Sequence, residues 1–261
     1  MRNTGLYVYA IIPAEGLSTS DLPKGINGQS LHLVETEGLA AIVHNAEPEP
    51  YQGPDSDVKR WVLEHSDVAD AAWQQLGTIL PMTFNVIVAP GEDAVQHPEQ
   101  RLRTWLAASA DTMRAHLDKL RDHVELRVAI SLDEDTATAD DPELLELREG
   151  IDARPAGVQR LYRKRVEERR RTVAERIADE LYPLVRKRLV ALAEDMVETT
   201  RPGRESGSVT VLNASLLVHV DAVDAIGLEL AEIRDTQPGA QIRYLGPWPP
   251  YSFGDLPELT D

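Results

Sequence analysis

Gln241-Ile242-Arg243-Tyr244-Leu245-Gly246-Pro247-Trp248-Pro249-Pro250-Tyr251-Ser252-Phe253 runs close to the end of this 261-residue chain. Its first five residues read as a strand. The prolines that follow fix φ and lack an N–H, so 246–250 is neither helix nor central strand. Free tails seldom carry aromatic surface as dense as Trp248, Tyr251 and Phe253. The segment therefore reads as a rigid plug that ties the C-terminus to a core. Working backwards, Val209–Val220 alternates as a strand, and Asp221 opens a helix to about Asp235. Residues 158–198 hold helical spacing through Leu161, Val173, Ile177, Val185, Leu189 and Met196. Pro183 lies inside that helix, removes the bond to the Asp179 carbonyl and predicts a kink. His123–Leu132 alternates as a half-buried strand, and Asp133–Asp141 reads as a solvated acidic loop. From residue 123 the order is thus strand, long helix, strand, helix, strand.

The first part of the chain has the same character. Gly5–Ile12 alternates aromatic and aliphatic residues, and 31–34 and 39–43 form a hairpin across Glu37-Gly38. An amphipathic helix follows, with Val58, Trp61, Val62, His65, Val68, Ala72, Trp73 and Leu76 on one face and Gly77 as its stop. Thr78–Ala89 is extended and apolar, and Glu92–Asp122 reads as one long helix. The fold class is α+β, with helices expected on one face of each sheet. The expected domains are 1–90, a connecting helix 91–122, and 123–261.

Taken in order, these pieces resemble the gas vesicle GvpL/GvpF family. The family's opening Tyr-Val-Tyr strand corresponds to Tyr7-Val8-Tyr9, and its Gly-Leu-x-Ala-x-Val run to Gly38–Val43. The helix carrying His65 follows, then a Leu-Pro-x-x-Phe strand at Leu80–Phe84, an Asn-Ala-x-Leu-Val strand at Asn213–Val218, and the GPWPPYSF ending. Two positions depart from the pattern. Thr83 stands where the family usually has arginine, and Asn85 where it has glycine; asparagine is the next-best residue for positive φ. The resemblance implies an N-terminal α+β domain and a ferredoxin-like C-terminal domain. It also implies a cytoplasmic accessory protein associated with gas vesicles, without enzymatic activity. Such a protein binds the small, very hydrophobic shell protein and other accessory gas vesicle proteins. Candidate contact residues on this reading are Pro81, Phe84, Trp248, Tyr251 and Phe253, each equally suited to a core.

Composition narrows the alternatives. The formal charge is −17, which opposes nucleic-acid binding and docking to anionic lipid. Cysteine is absent, so thiolate metal sites and disulfides are excluded. No run approaches about 20 apolar residues, so no membrane span is expected. There is no Walker A motif, no dinucleotide-binding glycine pattern and no nucleophile elbow. The seven histidines form no pair at metal-binding helical spacing, so no cofactor or metal is expected. His65 beside Glu64 and Asp67 is the one candidate for a small-molecule or catalytic pocket; its place on the apolar face favours a core histidine. The cationic run Arg163, Lys164, Arg165, Arg169, Arg170, Arg171 is interleaved by Glu167 and Glu168. It reads as a solvated, ion-paired face, with Arg169 and Arg170 the candidates for docking an acidic partner.

Overall fold

The computed structural model describes residues 4–91, 97–149, 151, 155–199 and 206–254. The chain forms two compact units, one running to Glu125 and resuming at Trp248, the other Leu126–Pro247. The helical segment after residue 97 and the C-terminal segment both count with the first unit.

The first unit is organised around β1 (Gly5–Pro13). β3 (Leu39–Ala46) pairs antiparallel along one edge of it, and β2 (His32–Thr36) pairs with β3. The short β4 (Leu80–Pro81) and β5 (Ile87–Val88) share the other edge of β1. The β2–β3 hairpin turns through Glu37 and Gly38, at φ 50° and 75°, the positive values a two-residue type I′ loop requires. β1 is buried from Leu6 to Ile12, so both its faces are covered, as a near-continuous apolar run demands. Helical packing is therefore not confined to one face, contrary to the sequence reading. Tyr7, Tyr9 and Ile12 pack with Val68, Ala69 and Ala72 of α1 (Asp55–Leu76). α2 (Pro98–Ala108) and α3 (Ala110–Lys119) also pack against strands of this sheet. α1 stops at Gly77, in the left-handed conformation at φ 68°. The helix expected over 92–122 is two helices: Ser109 leaves helical geometry at φ −111°, ψ 8°, and residues 92–96 lie outside the described part.

The second unit follows β6 (His123–Asp133) with α4 (Glu134–Ala137), α5 (Pro142–Arg148), α6 (Ala156–Val190), β7 (Asp195–Glu198), β8 (Ser208–His219), α7 (Val223–Thr236) and β9 (Ala240–Trp248). Its sheet order is β7-β8-β6-β9. With α4 and α5 set aside as an insertion, this is the β-α-β-β-α-β arrangement of ferredoxin-like folds. α6 packs on β8 and runs as one helix through Pro183. The long helix stops eight residues before the expected 198. Asp195–Glu198 instead pairs antiparallel with Ala214–Leu217, a tertiary pairing that overrides local helical spacing. The acidic stretch after Asp133 is likewise folded: Asp133 caps α4, and Glu134 and Thr138 are buried.

Candidate functional site

The proline-aromatic ending closes the first unit. Pro249 and Pro250 are buried and Phe253 is 8% exposed, while Trp248 and Tyr251 are half-buried. Backbone bonds from Tyr251 N to the Pro249 carbonyl and from Phe253 N to the Pro250 carbonyl wind the segment into a tight turn. Glu125, 1% exposed, accepts the Ser252 N–H at 2.7 Å and the Ser252 hydroxyl at 2.8 Å. Burial pushes the Tyr251 hydroxyl up to about 12, and the Asp70 carboxylate adds to the shift. A plug is what the sequence suggested. The latch that holds it, Glu125, was not visible, because 127 residues separate the partners.

The Leu-Pro-x-x-Phe strand belongs to the same interior. Pro81 is buried opposite Ala10. Phe84 meets the rings of Tyr7, Tyr51 and His65 at centroid distances of 6.1–6.5 Å. Asn85 adopts φ 74°, the conformation glycine would take. Its carboxamide also does what glycine cannot: Oδ1 accepts the Tyr51 N–H at 2.9 Å, and Nδ2 donates to the Tyr51 carbonyl at 3.2 Å.

Between these elements lies a buried tyrosine–histidine network. His65 Nε2 lies 3.0 Å from the Met82 carbonyl, which only accepts, so that nitrogen carries the proton. Nδ1 then accepts from the Tyr7 hydroxyl at 3.0 Å, and that hydroxyl accepts the Asn85 N–H. Tyr9 repeats the pattern, with Ile26 N–H as its donor and His44 Nδ1 as its partner. His44 Nε2 continues to the Tyr51 hydroxyl at 3.1 Å. Gly25 makes room for this arrangement, since a Cβ there would collide with the Tyr9 hydroxyl. Burial lowers the pKa of both histidines, His44 to about 4 with a further push from His32, and raises those of Tyr7 and Tyr9. His65, Glu64 and Asp67 do not converge: His65 points into the core, Glu64 binds Arg60 and the Asn27 N–H, and Asp67 is exposed. Nothing in this geometry favours the catalytic-pocket alternative.

A pH dependence follows from the neutral histidines. His44 has a folded pKa below its ordinary 6.5, so the unfolded chain binds its proton first as the pH falls. Its contribution is complete above pH 6.5 and lost between about 6.5 and 4, up to about 3 kcal/mol. The charge of His32 opposes protonation of His44; Tyr7, Tyr9 and Tyr51 stay protonated, because burial disfavours their ionised forms. The urea midpoint is expected to fall across this window and to fall much less steeply in His44→Gln. Equal slopes would show that the loss arises elsewhere.

Comparison with known proteins agrees with the layout. Residues 5–255 match the family described as gas vesicle synthesis protein GvpL/GvpF. The chain belongs to this family. Gas vesicle protein L2 of Halobacterium salinarum is 31% identical over 95% of the chain and 91% of its own length. Gas vesicle protein L of Haloferax mediterranei is 29% identical over 88% of the chain and 72% of its own length. The crystal structure of the gas vesicle protein GvpF from Anabaena sp. PCC7120 superposes with a TM-score of 0.68 at 18% identity, covering 98% of both chains. That likeness shows the α+β fold alone. GvpL/GvpF membership assigns the chain to gas vesicle synthesis. No helix among the described residues is long and apolar enough to cross a membrane, and among them no histidine–carboxylate group could hold a metal ion.

The arginine cluster divides in two. Arg169 reaches Asp141 at 3.1 Å and Glu143 at 3.0 Å. Arg170 reaches Glu134, Asp135 and Glu167 at 3.3, 2.8 and 2.7 Å. These two arginines clamp the 134–143 insertion onto α6 rather than standing free for a partner. Two surfaces that sequence reading passed over are better exposed. One is β9, whose Tyr244 and Leu245 are 36% and 52% exposed. The other is a cleft beside Tyr51 and Trp61. The signal for the first was present, as two large apolar residues in succession on a strand cannot both face one core.

Proposed function

We propose that this chain is a non-enzymatic, cytoplasmic assembly factor that binds the hydrophobic gas vesicle shell protein and other accessory gas vesicle proteins. The observation that carries the contact is β9. It is one of the two edge strands of its sheet, β7 being the other, and Gln241 and Arg243–Pro247 are exposed along it. An open edge offers unpaired N–H and C=O groups to an incoming strand. Beside it, Gly227, Leu230, Ala231, Ile242 and Tyr244 line a groove of about 190 Å³, with Arg234 at its margin. An extended apolar segment of the shell protein would add to β9 and place alternate side chains against Tyr244, Leu245 and the groove. Trp248 stands at the end of the same strand. Of the contact residues read from the sequence, it is the one this surface retains. Pro81, Phe84, Tyr251 and Phe253 support the reading only by holding the first unit together.

The test is co-expression with the shell protein, asking whether it stays soluble and co-purifies. Wild type is expected to retain it at both low and high salt, because the contact is apolar and backbone-mediated. Leu245→Lys with Tyr244→Glu, both on exposed positions, is expected to lose at least about tenfold of the captured shell protein with unchanged circular dichroism. Undiminished capture by that variant would remove β9 as the contact. Failure of wild type to capture it would remove direct shell binding.

A further inference from the structure

A second site lies in the first unit, at the corner where β2 falls short of its neighbour. β2 pairs with β3 only as far as His32 opposite Val43, whereas β3 continues to Ala46. Among the described residues, no strand therefore lies beside the outer side of His44–Ala46. A cleft of about 680 Å³ opens there, walled by Asn27, Gln29, Asn45, Tyr51 and Trp61, with Glu47 and Glu49 also lining it.

The walls are fixed. The Tyr51 hydroxyl meets His44 Nε2, and its backbone is bonded in both directions to Asn85. The Trp61 indole N–H donates to Asn27 Oδ1 at 3.0 Å. Asn27 itself sits at φ 55° with its N–H on Glu64. Two aromatic rings and the Asn27 carboxamide, whose Oδ1 also accepts from Arg60 at 2.9 Å, are thus held at a concave surface, with their ordering cost met before any ligand arrives. Carboxamides pair with peptide N–H and C=O groups, and a vacant strand edge pairs with extended backbone. Glu47 and Glu49 set the charge that is accepted. The nearby cation, Arg60, lies 5.5 Å from the Trp61 ring centre and is itself paired to Asp57 and Glu64. Glu64 and Glu47 both act on Tyr51, adding to the rise that burial gives its hydroxyl pKa.

We propose that this cleft binds an extended, lysine- or arginine-bearing segment of a partner protein. The segment lies along the free side of β3, its cations toward Glu47 and Glu49 and its flanking side chains against Tyr51 and Trp61. The site is separate from the β9 edge and differs in ligand, being cationic and salt-sensitive where that edge is apolar. The experiment titrates the isotopically labelled full chain with a ten-residue peptide of alternating lysine and valine, using an alternating glutamate–valine peptide as control. The lysine peptide is expected to shift the amides of Asn45–Gln52 and the Trp61 indole saturably. The doubly substituted E47Q/E49Q chain, altered only at exposed positions, is expected to bind it about tenfold more weakly. Shifts spread without saturation over the acidic surface, equal shifts with the glutamate peptide, or undiminished affinity in E47Q/E49Q would each overturn the proposal.

Discussion

Arg170→Ala is expected to lower the unfolding free energy by about 3 kcal/mol, read as a fall in the urea midpoint of the full chain. The Arg170 side chain is 15% exposed and that of Glu134 is 7% exposed. Its guanidinium also meets Asp135 and Glu167. Removing it leaves a covered carboxylate among like charges, and an uncompensated buried charge costs more than the intact pair contributes. Asp133 would feel the loss as well. Its carboxyl is held below the usual range first by the Thr136 hydroxyl and N–H, and the Arg170 charge adds to this. The double variant Arg170→Met with Glu134→Leu removes both charges and is expected to recover most of the loss. Had Arg170 been a docking residue, its removal would leave the midpoint unchanged and weaken partner capture instead. Arg169 is 35% exposed, so its removal is expected to matter less.

The parts of the fold legible in the sequence are those written by local chemistry. Glu37-Gly38 reads as a two-residue turn because glycine admits positive φ. Gly77 reads as a helix stop for the same reason, and the alternation of Tyr7, Tyr9 and Ile11 reads as a strand. The missed features depend on partners distant in the chain. Asp195–Glu198 continues a helical spacing until Ala214–Leu217 offers it an edge. Ser109 breaks a helix in a run of small residues where no proline or glycine announces it. The acids after Asp133 look like a solvated loop until Arg169 and Arg170, 28 to 36 residues later, neutralise them. His65 was readable as a core residue from its place on the apolar face. Its bond to Tyr7 was not, because strand-to-helix contacts leave no periodic mark. The cleft beside Tyr51 was hidden in the same way: it exists because β2 ends before β3, and strand ends are set by pairing.

Glu125→Ala is expected to cost about 3 kcal/mol and to free the C-terminal segment. Glu125 stands on a strand that alternates polar and apolar residues, so the sequence assigns it no special role, yet it is 1% exposed. Its carboxylate takes both the N–H and the hydroxyl of Ser252. Truncation loses two charge-assisted bonds and leaves both donors covered without that acceptor. Ser252→Ala removes only the hydroxyl bond and is expected to cost about 1 kcal/mol. The two variants therefore order the latch: backbone and side chain together for Glu125, side chain alone for Ser252. A stability loss alone would not show that the segment moves, so the second readout is chymotrypsin cleavage after Tyr251 and Phe253. Cleavage is expected to accelerate in Glu125→Ala well below its urea transition, because local release precedes global unfolding. Cleavage that rises only in step with global unfolding would mean that Phe253 and the buried prolines hold the segment without Glu125. A Glu125→Ala chain as stable as wild type would mean that the segment is not latched at all. Tyr251 and Phe253 would then regain their standing as contact residues, since their burial would no longer be something the fold enforces.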